Sequence, residues 1–229
     1  MIRPKSRWRP VSRWFLTVAA LAATPAGAAP GAWFQPAAAG ALPADEDGFL
    51  RRWLLLEPIL KPNRSNAGFT PSYVRAALVP PASLGGASYM ARAGDVVREA
   101  GGPQRWHALD ARDFDVKLFN FAQDFAKPTY GVIFWVETIV ESPRAMRDVR
   151  LAVGSNAASI WWLNGVEAAG LFGDRRMVAD DVVSPRLTLR KGRNILRGAV
   201  INGPGLSDFC VRFLDEQGRP VPGLASRTL

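Results

Sequence analysis

From Asp148 to Pro220 the chain alternates short apolar runs with explicit turns. Ser159 to Glu167 is a run broken at Asn164-Gly165, and Leu187 to Leu196 is broken at Lys191-Gly192. Asn-Gly accepts the two positive φ angles of a type I′ turn, so the first run reads as a β-hairpin. Gly131 to Val140 is the clearest strand: ten residues rich in β-branched and aromatic types. Further strands are expected at 49–56, 114–119, 147–153, 159–163, 166–169, 186–189, 194–201 and 209–214. Such spacing is the signature of a two-sheet antiparallel β-sandwich or jelly roll, an all-β fold. Between 61 and 105 the pattern is irregular. Thr70-Pro71 reads as an N-cap with proline at the first helical position, starting a helix that runs to about Leu78, so one or two short helices belong there.

Alternation assigns faces. Val132, Phe134, Val136, Thr138 and Val140 share one face of the long strand; Ile133, Trp135, Glu137 and Ile139 share the other, the side expected to meet water or a cover. Val149, Leu151 and Val153 are expected inside, as are Phe209, Val211 and Phe213, which turns Cys210 and Arg212 to a partly polar face. Trp161 and Trp162 point to opposite sides, so one of them is expected in the core.

Charge changes the picture at one end. Arg3, Lys5, Arg7, Arg9 and Arg13 precede an apolar stretch, Phe15 to Ala23, and an A-x-A site at Ala26-Gly27-Ala28. This is the pattern of a secretory signal peptide over 1–28. The stretch is too short for a span needing about 20 apolar residues. Removing those five basic residues from 29 leaves 24 against 20 acidic ones, so the expected mature charge falls from +9 to +4. The remaining basic residues are scattered, which argues against nucleic acid as a partner. Residues 29–48, rich in Ala, Pro and Gly, read as a flexible spacer, and 49–229 as a single domain. A periplasmic or secreted monomer, free of the membrane after cleavage, is the expectation. Cys210 is the only cysteine, so no intramolecular disulfide is available. Asn63-Arg64-Ser65 is a glycosylation sequon, meaningful only in a eukaryotic secretory pathway.

Several segments resemble the galactose-binding-like jelly-roll modules of bacterial carbohydrate-active proteins, including those labelled acetylxylan esterase. They are Asp148 to Ser155, the W-L-N-G of Trp162 to Gly165, the L-x-x-G-x-N of Leu189 to Asn194, and Phe209 to Gly218. Phe49 to Pro58 looks like the opening strand of such modules. The resemblance implies a non-catalytic carbohydrate-binding protein linked to xylan-type polysaccharide degradation. It leaves a small acetylxylan-esterase-like hydrolase as one alternative and a structural or protein-interaction module as another. No G-x-S-x-G elbow is present, and a Ser-His-Asp device would have to use His107, the sole histidine, which reads as a loop residue.

Sugar recognition needs a flat aromatic face beside charged or amide groups. Trp135 with Glu137, extended by Trp162, is the candidate platform, and Arg212 a candidate grip for a sugar carboxylate, as is Arg197. The competing reading is that the tryptophans fill the sandwich and the arginines pair with acids. Asn156, Asn202 and Asp208 sit at strand ends where such modules hold a structural calcium ion; loop capping is the favoured reading, and no cofactor is expected. No catalytic or metal-ligating set is assigned.

Overall fold

The computed structural model describes residues 31–62, 68–86, 89–173 and 175–229. The expected signal peptide, 1–28, and the Asn63 sequon lie outside them. In chain order, β1 (Phe34–Pro36), β2 (Leu42–Pro43), β3 (Arg52–Leu56) and β4 (Ile59–Leu60) come first. Helix α1 (Pro71–Ala77) and a 3₁₀ turn (Ala82–Leu84) lead to β5 (Val96–Glu99), β6 (Gly102–Ala111) and β7 (Val116–Lys117). Helix α2 (Leu118–Asp124) precedes β8 (Val132–Ser142), β9 (Met146–Ser155), β10 (Ala158–Leu163) and β11 (Val166–Leu171). Then follow β12 (Val182–Val183), β13 (Leu187–Leu189), β14 (Gly192–Asn202), β15 (Asp208–Leu214) and β16 (Ala225–Arg227).

These strands form two antiparallel sheets, the β-sandwich expected. The larger runs β1-β6-β3-β8-β14-β10-β11, with β2, β4, β5 and β16 attached; the smaller runs β12-β9-β15-β7, with β13 on β9. Between them lies the main core. Val132, Phe134, Val136 and Val140 of β8 meet Val149, Leu151 and Val153 of β9 and Phe209, Val211 and Phe213 of β15. Trp53, Trp161 and Phe209 meet at its centre, with ring centroids 4.9–6.0 Å apart. The Asn164-Gly165 turn has both φ angles positive, 51° and 83°, as a type I′ hairpin requires.

The other face of the large sheet is apolar too. Leu54, Leu56, Ile133, Trp135, Ile139, Ile160, Ala199 and Ile201 are buried beneath a third layer carrying Phe69, Val74, Leu78, Leu84 and Met90, with Val97 and Trp106 of the sheet's own β5–β6 edge in the same cluster. The face holding Glu137 therefore meets a cover, supplied by α1, the 3₁₀ turn and the residues around Met90. Within it α1 is capped as expected, Thr70 Oγ1 accepting from the Tyr73 N–H at 3.3 Å.

Three local expectations are corrected. The strand over 114–119 shrinks to β7, because Leu118, Phe121 and Ala122 recur at helical spacing and bury together as α2. His107 lies inside β6, not in a loop. The 29–48 stretch is, from residue 31, part of the sheet architecture. Phe34 is 1% exposed in the main core, Gly31 N–H donates to Asp124 Oδ2, and the buried Arg52–Asp110 fork also donates to Gly40 O. Composition suggested a spacer; one aromatic residue and one guanidinium bind it down.

Candidate functional site

Strand registry brings four of the five proposed sugar contacts together. Trp162 of β10 pairs across with Arg197 of β14, which pairs across with Glu137 of β8. Trp135 lies on the same face as Glu137, two residues back, and stacks on Trp162 with ring centroids 5.8 Å apart and planes 21° from parallel. The layer above decides what each can do. Trp135 is 2% exposed and Glu137 0%, so both are walled off, whereas Trp162 stays partly exposed.

Glu137 anchors the cover. Its Oε1 accepts from Arg197 Nε at 2.7 Å and its Oε2 from the Ala91 N–H at 3.1 Å. Arg197 Nη2 donates in turn to the carbonyls of Leu84 and Tyr89. Burial pushes the Glu137 carboxyl up, and the Arg197 charge opposes it. An isolated carboxylate would be neutralised at this depth; the guanidinium is what allows charge there. Arg197 Nη1 has no hydrogen-bond partner among the described residues.

A cavity of about 350 Å³ opens beside this pair, lined by Trp162, Arg197 and Ile195 from the sheet, Gly165 of the hairpin turn, and Pro80, Gly85 and Gly86 from the cover. Its size lies at the small end of the range that small-molecule sites occupy, about 300–1,000 Å³. The arrangement offers one aromatic face held rigid by a second tryptophan, and one guanidinium fixed on three sides.

Arg212 does not join it. It lies on β15 in the smaller sheet, where it grips Asp180 through Nε and Nη2, donates to Asp47 O and covers the Phe49 ring at 4.7 Å. The hydrogen bond to Asp180 raises its pKa. The alternation placed Arg212 on an outward face correctly, but that face belongs to the other sheet, and its partners are structural. Asn164 spends its side chain on the start of β14: Nδ2 donates to Asn194 Oδ1 at 3.1 Å, and Oδ1 accepts from Ile195 N–H at 3.0 Å.

His107 Nε2 sits 3.1 Å from Glu57 Oε1, and its ring packs on Phe125 with centroids 3.9 Å apart. Ser155 and Ser159 hydroxyls bond each other at 2.8 Å, and Ser159 also accepts from Trp161 Nε1. The groups an esterase would combine are thus engaged separately. Cys210 is buried, with its thiol pushed up to about 12 by burial.

The three residues weighed for calcium each make hydrogen bonds to the protein. Asn156 Oδ1 accepts from Met177 N–H, Asn202 Nδ2 donates to the carbonyls of Thr129 and Gly205, and Asp208 Oδ2 meets Lys117 Nζ. Among the described residues no three His, Cys, Asp or Glu side chains group as ligands. None of the helices there is long and apolar enough to cross a membrane.

No protein-family model matches the chain, and no curated protein does. Two solved structures are similar in outline. A PA14 sugar-binding domain from an RTX adhesin has 13% identity and a TM-score of 0.47, over 79% of this chain and 99% of that one. The PA14 domain of the MpAFP antifreeze protein has 11% identity and a TM-score of 0.42, over 76% and 90%. At this level the likeness bears on neither the site nor its ligand.

Proposed function

We propose that this chain is an exported, non-catalytic carbohydrate-binding module, serving the breakdown of xylan-type polysaccharide, and that it binds sugar at the Trp162 cavity. One observation carries the reading: Trp162 presents a partly exposed ring, braced from behind by Trp135, beside a guanidinium that Glu137 holds in place. The apolar face of a sugar ring lies on such an indole, and its hydroxyls take hydrogen bonds from Arg197 and accessible backbone at Gly85, Gly86 and Gly165. Export rests on the leader-type pattern at the N-terminus, and the xylan link on the resemblance of the hairpin block to modules of xylan-active proteins.

Calorimetric titration of the purified chain with xylo-, cello- and manno-oligosaccharides tests the reading. Trp162→Ala should weaken binding about tenfold or more, a loss of ~1.4 kcal/mol, with the unfolding transition retained. Binding undiminished in Trp162→Ala, or absent for every sugar in the wild type, would remove the Trp162 cavity as a sugar site.

A further inference from the structure

A larger cavity, of about 670 Å³, opens at one end of the sandwich and shares no lining residue with the Trp162 cavity. The β7–β15 ladder sets Lys117 opposite Asp208. Lys117 Nζ donates to Asp115 Oδ2 at 2.5 Å and to Asp208 Oδ2 at 3.3 Å. Asp115 and Asp208 are only 7% and 6% exposed, both line the cavity, and each leaves Oδ1 without a hydrogen-bond partner. Two further buried oxygens lacking a partner, Asn202 Oδ1 and Ser207 Oγ, belong to the same 202–208 segment; the remaining partnerless buried side-chain atoms among the described residues are arginine Nε atoms. Two carboxylate oxygens thus stand unpaired on the cavity wall.

An ionised carboxylate can only accept, so a buried oxygen left over calls for a donor. The charge balance says which kind. Lys117 already stands between the two carboxylates as their cation, and a metal ion on the Oδ1 atoms would be repelled by that ammonium. Arg175 and Arg176 add positive charge on the cavity wall, Arg175 being paired with Asp181. What is missing is donors without charge. Lys117 retains a third N–H for an incoming oxygen. The Asn156 NH₂ has no partner among the described residues, since that amide is engaged only through Oδ1. The Lys117 ammonium also lies over the ring of the exposed Trp33, 5.5 Å from its centroid.

We propose that this sandwich-end cavity is a second binding site, which takes a neutral polyhydroxyl ring by its vicinal diol: the hydroxyls donate to Asp115 and Asp208 and accept from Lys117. The assignment stands independently of the Trp162 cavity.

The test is a titration of the ¹⁵N-labelled purified chain with methyl xyloside, galactoside and mannoside, and separately with calcium chloride. At least one glycoside, at about millimolar concentration, should move the amides of residues 115–117, 156–157 and 205–208. Asp208→Asn and Lys117→Met should each weaken that response about tenfold, a loss of ~1.4 kcal/mol, in spectra that remain folded; Trp162→Ala should leave it unchanged. No glycoside response at these amides would overturn the proposal. So would a calcium response at the same amides that raises the melting temperature and disappears in Asp115→Asn. Glycoside shifts confined to the surroundings of Trp162 would remove this site and leave the Trp162 cavity standing; shifts confined to the sandwich end would do the reverse.

Discussion

Gly198 is glycine because Trp161 occupies the place a side chain would take. The two residues pair across β14 and β10, and a Cβ at 198 would lie 2.4 Å from the indole ring. Gly198→Ala should therefore lower stability by about 1–3 kcal/mol, the cost of overpacking a filled core, read as a drop in the urea midpoint. His107 sets a pH dependence. Burial lowers its pKa below 6.5, against the pull of Glu57, with Arg105 and Lys127 adding to the decrease. The unfolded ring takes its proton near 6.5 while the folded ring resists, so the contribution is intact above that pH and is lost as pH falls through the window below it. Glu57 titrates lower. Burial opposes its ionisation, but Lys127, His107 and the Arg105 N–H outweigh that and hold its pKa below 4.5, so its contribution is lost further into acid. Urea unfolding at a series of pH values should show His107→Gln with a flatter profile as pH falls below 6.5; an unchanged slope there would contradict this role.

At the scale of elements, the two turns that stood out in the sequence hold each other: the β10–β11 hairpin at Asn164-Gly165 and the Lys191-Gly192 crossover from β13 of the small sheet to β14 of the large one. Asn194, fully buried, receives Arg190 N–H and Asn164 Nδ2 on its oxygen and donates to Arg190 O. The asparagines of W-L-N-G and L-x-x-G-x-N are thus partners, and Asn194→Ala should destabilise by several hydrogen bonds' worth, about 1–3 kcal/mol for the buried groups left over. The Glu137–Arg197 pair does the same work between layers. Removing Glu137 alone strands a buried guanidinium, so Glu137→Ala should cost about 3–5 kcal/mol, and replacing both partners by apolar residues markedly less. A double-mutant cycle by chemical denaturation reads this coupling. Strong alternation and Asn-Gly chemistry made β8, β9, β10, β11, β14 and β15 legible in advance. β6 was not, because Gly102-Pro103-Gln104-Arg105 carries no strand pattern and its pairing comes from β3 and β5. α2 had a readable signal in Leu118, Phe121, Ala122 and Phe125, overlooked beside the apolar Phe114–Phe119 run. The face shared by Trp135 and Glu137 was legible; that a third layer would close over both was not, since alternation says which side a residue takes but not what packs on that side.

Across the whole molecule, the large sheet carries two cores, one against the small sheet and one against the cover. That arrangement explains why a six-residue strand can send Trp161 into one core and leave its neighbour at a cavity mouth. It also makes the two tryptophans of the expected platform unequal. Trp135→Ala removes a filled core position and should cost about 3–5 kcal/mol, whereas Trp162→Ala should cost far less, and thermal unfolding of the two variants side by side will show whether that ranking holds. The N-terminal stretch belongs to the same body, since Phe34 and the Arg52 fork bind it to the sheet. The most direct measurement follows the indole N–H signals of the tryptophans in the ¹⁵N-labelled chain during titration with xylotetraose. Sugar binding at the braced ring predicts that Trp162 Nε1 moves with saturation while Trp53, Trp106 and Trp161, inside the cores, stay fixed. A saturating response in which Trp162 Nε1 does not move, or no response at all, would contradict it.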